Sequence, residues 1–232
     1  MDQQYRPKIH EGTRVLVVEP FPLKEAHRIF SWMKAFKTVI QTDYSPRTKT
    51  EFIAEFKQAY NNVRSFAVID KNNTLDNKPI EIVGAIIFEP QGRTNGFLHV
   101  ASRISAFGSR CIDEAGEIVI KELFESQPEL TRLSAVTHYK NNMAASLAKR
   151  VGFVKEGKIE DMIVQKGEPK AVLWFGLTRQ QWINRNNQES EVCHSLEQQH
   201  LLSQQSEGYL DQPSASLENK ADSQLQVQSS EP

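Results

Sequence analysis

The segment Ser105-Ala106-Phe107-Gly108-Ser109-Arg110-Cys111 runs directly into a long amphipathic stretch. A loop that enters a helix after a strand is suited to cradle a pyrophosphate. The first amides of a helix have no intrahelical partner, and the helix dipole favours anions there. Gly108 gives such a loop its glycine, and the guanidinium of Arg110 suits phosphate. A lone glycine is equally an ordinary turn residue. Cys111, at the helix start, is either a thiol of lowered pKa or a small buried hydrophobe. His99 lies on a β-rich run, and histidine is the side-chain type suited to carrying a proton near neutral pH; Glu81 and Glu89 on the neighbouring run are further candidates. The plain alternative for His99 is a solvated or core-bonded histidine. His194 and His200 have no ligand company, so no metal site is expected.

The surrounding elements alternate. Arg14–Val18 is a β-rich run stopped by Pro20 and Pro22, and 23–36 places Leu23, Ala26, Ile29, Phe30 and Met33 on one helical face. The stretch 48–60 repeats that spacing with Phe52, Ile53, Phe56 and Ala59, with Thr48 or Thr50 as its cap. Three strands follow, at 65–69, 81–88 and 96–101, joined by polar turns, and imply an antiparallel half-sheet. The helix after Arg110 carries Ile112, Ala115, Gly116, Val119, Ile120, Leu123 and Phe124 at helical spacing. A strand at 132–137, a helix at 141–151 capped by Gly152, extended pieces at 153–156 and 159–164, and a strong strand at 171–177 complete the body. The strand–helix–strand part predicts a parallel crossover.

The chain has 232 residues, enough for one ordinary domain. The start of the chain lacks the apolar core of a secretory signal, and no apolar run approaches a membrane span. Two cysteines are too few for a disulfide framework, so a reducing cytoplasm is the expected setting. After Trp182 the sequence turns Gln-, Ser- and Glu-rich. Residues 186–232 hold eight acidic residues against Lys220 alone, a net −7 that leaves the body with +6 of the chain's −1. Such a tail buries too little apolar surface to offset its ordering entropy, apart from a short helix at 189–205. The mildly basic body suits a phosphate-bearing ligand. No Lys/Arg run interleaved with aromatics is present, which argues against nucleic acid.

Several ordered pieces carry a resemblance. Asn141-Asn142-Met143-Ala144, followed by Lys149-Arg150-Val151-Gly152-Phe153-Val154-Lys155-Glu156-Gly157, resembles the last helix and "GF-x-x-EG" element of the GNAT acetyltransferases, in their Rim-type branch. Leu177-Thr178-Arg179-Gln180-Gln181-Trp182 is similar to that branch's closing "L-x-R-x-x-W", and Phe107–Ala115 lies where the family has its phosphate loop and helix start. The resemblance implies an α/β fold of α+β type. Its mixed, mostly antiparallel sheet is splayed between two parallel strands, here 96–101 and 132–137, and flanked by helices on both faces. It also implies acetyl-CoA as co-substrate, without a metal. Val100, Ala101, Phe107, Gly108, Ser109, Arg110, Cys111, Asn141 and Ala144 would bind the coenzyme. A freed amide of the first strand would stabilise the oxyanion, with His99 as base and Tyr139 as acid. The two N-terminal helices, with 34–46, would wall the acceptor site, where Trp32, Phe36 and Tyr44 form core or lid.

The pattern departs from the family in three places. Phe107 and Arg110 stand where a basic residue and a second glycine are usual; Ala144 replaces a hydroxyl; and the helix after Asn141 has no Tyr, leaving Tyr139 just before it. The expected organisation is a flexible 1–10, a GNAT-like domain at 11–185 and a disordered acidic tail at 186–232. The expected activity is acetyl transfer to a primary amine: a protein N-terminus, a lysine or a small amine. The alternatives are a degenerate GNAT module in an assembly and a GNAT enzyme using another acyl donor.

Overall fold

The computed structural model describes residues 7–35, 45–73 and 81–188. Contacts divide the chain into two units, Met1–Arg185 and Asn186–Pro232; of the second only 186–188 are described. The expected tail helix, Phe36 and Tyr44 lie outside the described residues. No helix among the described residues is long and apolar enough to cross a membrane.

The strands are β1 (Lys8–Glu11), β2 (Val15–Glu19), β3 (Arg64–Asp70), β4 (Ile82–Gln91), β5 (Asn95–Ser102), β6 (Arg132–His138), β7 (Val154–Gln165) and β8 (Glu168–Thr178). They form one sheet in the order β1-β2-β3-β4-β5-β6-β8-β7, antiparallel at every pairing except β5 with β6. Two stretches differ from the expected pattern. Residues 8–10, expected in the flexible N-terminus, are strand: Lys8 pairs with Glu19 and His10 with Val17. An exposed edge strand is held by its backbone ladder and needs no apolar alternation, so it leaves little trace in composition. The two extended pieces after Gly152 are a single strand, bent where Asp161 takes φ 53° and the register slips between Ile159 and Ile163.

The helices are α1 (Ala26–Ala35), α2 (Lys49–Ala59), α3 (Ile104–Gly108), α4 (Cys111–Ser126) and α5 (Asn142–Arg150), with a last helix beginning at residue 179. Thr48, one of the two expected caps, closes α2 with a capping box: its hydroxyl accepts from the Glu51 amide, and Glu51 accepts from the Thr48 amide. Helices α1 and α2 cover one face of the sheet, burying Phe21, Ile29 and Phe56 against Ala67, Ile69 and Ala85. The other face is covered by α4 and α5, whose Ile112, Ile120, Leu123 and Leu147 meet Phe66, Val68, Ile86 and Phe88. The central strands therefore bury both faces and read as continuous apolar runs.

Polar clamps fix α4, the helix that starts after the loop expected to cradle phosphate. Arg150 on α5 donates to both oxygens of Asp113, at 2.6 and 2.9 Å. The Glu114 carboxylate accepts from the amides of Thr13 and Arg14, tying the β1–β2 turn to the first turn of α4. At the far end, Arg179 donates to the carbonyls of Phe124, Gln127 and Leu130 at 2.6, 2.6 and 2.9 Å. The Phe124 carbonyl lies in the last turn of α4, where the helix offers no later amide, and Gln127, which also accepts from the Leu130 amide, and Leu130 follow the helix end; a charged fork suits this cluster of carbonyls. Trp182 packs on the Phe124 ring at 5.4 Å. The "L-x-R-x-x-W" pattern is thus a device for closing the core.

Candidate active site

The parallel ladder between β5 and β6 is three residues long: Asn95 pairs with Arg132, Gly96 with Leu133 and Phe97 with Ser134. Beyond that point Leu98–Ser102 and Ala135–His138 do not pair with each other. Each keeps its outer neighbour, β4 on one side and β8 on the other, so the sheet splits down its middle. Gly96 sits at the vertex, where an added Cβ would run into the Phe88 ring. The glycine lets β5 lie close to the core at the point from which the strands diverge.

A cavity of about 690 Å³ occupies the split. It is lined from both faces, by Ile29 and Phe56 on the α1–α2 side and by Ile112 and Ile120 on the α4 side, so it crosses the sheet. Val100 and Ala101 from β5 and Val136 and Thr137 from β6 form its walls. Lys and Arg are absent from the described lining, whose one carboxylate is Glu89. The cavity is thus an apolar slot edged by backbone groups that the split sheet does not use.

His99 lines this slot, and its Nε2 lies 3.0 Å from Glu89 Oε2. Both side chains are about half exposed. The cross-strand register explains the pair. Ile87 lies opposite His99 and Glu89 opposite Phe97, so Glu89 and His99 are diagonal neighbours on one face. Glu81, the other carboxylate considered from the sequence, instead accepts from Arg103 at 2.7 Å.

Asn141 and Ala144 reach the lining; Tyr139 and residues 107–111 do not. Asn141 caps α5 by accepting from the Ala144 amide at 3.1 Å. The Tyr139 ring lies 5.3 Å from the ammonium groups of both Lys140 and Lys158. Neighbouring His138 is held below its ordinary 6.5 by burial, then by Lys140 and Lys170.

The loop expected to hold phosphate differs in shape from its expected form. Residues 104–108 make a helical turn, α3, and Arg110 alone supplies the reversal into α4, with φ 59° and ψ 10°. This left-handed conformation disfavours a residue with a Cβ. The position expected to require glycine therefore keeps its glycine-like backbone with an arginine in place. Ser109 and Arg110 are exposed, Phe107 packs on the core, and Cys111 is fully buried. Burial raises the Cys111 pKa, which gives the thiol the character of a small core hydrophobe.

Away from the slot, His10, Glu19 and Glu122 bring their ligand atoms within 4.8 Å of one another. Arg64 donates to both oxygens of Glu19 at 2.7 Å and to Glu122 at 2.9 Å, and Lys8 donates to Glu122 at 2.5 Å. These carboxylates already face two cations, which disfavours a metal ion there.

Residues 15–154 match the family described as Acetyltransferase (GNAT) domain. The chain belongs to this family. Solved structures agree in fold. Ribosomal-protein-S5-alanine acetyltransferase from Vibrio fischeri superposes with a TM-score of 0.58 at 18% identity, covering 74% of this chain and 96% of that one. A GCN5-related N-acetyltransferase from Brucella melitensis gives 0.59 at 21%, covering 76% and 81%. RimL, a ribosomal L7/L12 alpha-N-protein acetyltransferase in complex with coenzyme A, gives 0.59 at 12%, covering 74% and 98%. No curated protein matches the chain. At these identities the likeness is one of fold.

Phe97, Met162 and Trp174 are among the lining residues that were not singled out from the sequence. The period-2 rule places Trp174 on the opposite face from core Phe175. It does not say that this face meets the slot. The register of Trp174 opposite Val136, and the 5.3 Å edge-to-face contact with Phe97, supply that information.

Proposed function

We propose that this chain transfers an acetyl group from acetyl-CoA to a primary amine. The observation that carries the reading is the separation of β5 from β6 beyond Phe97 and Ser134, which opens an apolar slot through the sheet. The donors fit a pantetheine arm: an extended amide chain finds unpaired strand edges at Val100 and Ala101, between apolar walls. Acetyl-CoA supplies the activated thioester. Arg110 and the amides that open α4 would hold its pyrophosphate, with Phe107, Gly108 and Ser109 shaping the approach and Cys111 buried behind them. Asn141 and Ala144 would line the thiol end. His99, held by Glu89, would take the proton from the ammonium form of the acceptor, and the slot would align amine and thioester. Tyr139, considered for returning a proton, stands outside the described lining and is not used in this reading. The ordered motifs similar to the Rim-type branch support a protein N-terminus, a lysine or a small amine as acceptor.

The second reading is a GNAT module without catalysis, favoured by Arg110 in the place of a glycine and by Ala144 in the place of a hydroxyl. Titration calorimetry with acetyl-CoA, followed by thiol release in the presence of amines, separates the two. Saturable binding that weakens in Arg110→Glu, with amine-dependent thiol release, supports the enzyme. No binding at about 1 mM acetyl-CoA, a contribution weaker than about 4 kcal/mol, supports the module.

A further inference from the structure

The acceptor side of the slot has a composition of its own. Glu89, Phe97 and His99 lie on the α1–α2 side of the sheet, together with Trp174, and Met33 and Met162 line the same space. The Phe97 and Trp174 rings meet edge to face at 5.3 Å, and Phe97 stands 6.3 Å from the His99 ring. Glu89 is the one carboxylate of the described lining; it is about half exposed, open to an entering ligand, and bonded to His99. Gln91 lines the same end and donates from its Nε2 to Glu89 Oε1 at 3.1 Å; the rest of the described lining here is aromatic ring, thioether and aliphatic carbon.

We infer that the acceptor is a primary amine with a single positive charge on an aromatic or branched apolar body, its ammonium set at Glu89 and its body against Trp174 and Phe97. This rests on the acetyl-transfer reading and narrows it. A carboxylate can hold one ammonium, and ring faces beside it add attraction for the same cation. Among the described residues no second carboxylate lines the slot, so a second ammonium five or more atoms away would lie among mostly apolar groups, which is costly. Polyamines and polycationic sugars are therefore poor occupants, while an apolar amine exchanges hydrated surface for contact with the rings. Met162 gives a means of reversing the preference. It lies on edge strand β7, is 52% exposed, and lines the slot. A carboxylate there would supply the missing second site without disturbing the core.

The test is calorimetric titration of the full chain with 2-phenylethylamine, 1,5-diaminopentane and spermidine, with acetyl-CoA turnover recorded in parallel. 2-Phenylethylamine should bind at least about tenfold more tightly than either polyamine. The preference should shrink in Glu89→Gln and move toward the diamine in Met162→Glu. A peptide amide beginning with Phe, compared with its N-acetylated form, distinguishes a free small amine from a protein N-terminus as the source of the same chemistry. Equal or tighter binding of the polyamines to the wild-type chain overturns the inference, as does a Met162→Glu variant that folds and shows no change in preference. The predicted ranking without release of CoA thiol would overturn the transferase reading and uphold the acceptor class.

Discussion

The guanidinium of Arg179 lies over the Phe124 ring, 5.0 Å from its centroid, while Nη1 donates to the carbonyl of the same residue at 2.6 Å. One side chain thereby closes α4 and joins the final helix to the core, with Gln127 and Leu130 as its other acceptors. Replacing it leaves three carbonyls short of a charged donor. Arg179→Ala should cost about 2–4 kcal/mol in urea unfolding, and Arg179→Lys should recover less than half, because a point charge cannot serve three acceptors at once. A Lys variant as stable as wild type would refute the fork argument.

The capping box at α2 is a smaller, separable contribution. Thr48→Ala removes the acceptor for the Glu51 amide and should lower stability by about 1 kcal/mol. Thr48→Ser should be nearly neutral. Since α2 packs one wall of the slot through Phe56, the same variant should raise hydrogen exchange in α2 before it does so in α4.

Arg110 has a backbone role and a charge role, and these separate on substitution with glycine. Arg110→Gly relieves the left-handed strain at φ 59° and removes a cation from a helix N-terminus, so the thermal midpoint should rise, by up to about 1 kcal/mol of stability. It also deletes the guanidinium proposed for pyrophosphate, so acetyl-CoA binding should weaken. A rise in stability with unchanged binding would leave Arg110 as surface only.

Two histidines make stability depend on pH in a defined window. Burial is the first cause that holds both His10 and His138 below the ordinary 6.5. The unfolded chain therefore binds protons more readily than the folded one as pH falls below 6.5, and it gains population. Stability from these groups is complete above that value and is lost as pH drops toward the lowered folded values. Protonation also costs His138 the hydrogen bond that its Nδ1 accepts from the Lys140 amide at 3.2 Å. Urea midpoints should fall between about pH 7.5 and about pH 5.5, and the fall should be shallower in His138→Gln. An unchanged slope in that variant would exclude His138 as a source.

Most of the fold was legible in the chain. The helical spacing of Ile112, Val119, Ile120 and Leu123, the Thr48 cap and the strong strand through Val172 and Phe175 are local patterns, and they survive in the structure because local propensity and burial agree there. Strand β1 was not legible, because Lys8 and Glu11 are held by a ladder rather than by apolar burial. Gly108 and Arg110 were read as parts of one loop, yet the helical turn that ends at Gly108 and the αL backbone of Arg110 were not legible. Those conformations follow from where β5 ends and α4 must begin.

The candidate site divides in the same way. His99 could be placed on a strand from its neighbours alone, since period and composition are properties of a short window. Its pairing with Glu89, ten residues away, depends on the β4–β5 register, and the approach of Trp174 depends on β8 lying beside β6. Chain order carries local preference. The split between β5 and β6, the cavity through it and the company each side chain keeps there arise from contacts between residues far apart in sequence, whose geometry is set when the two faces of the sheet are packed.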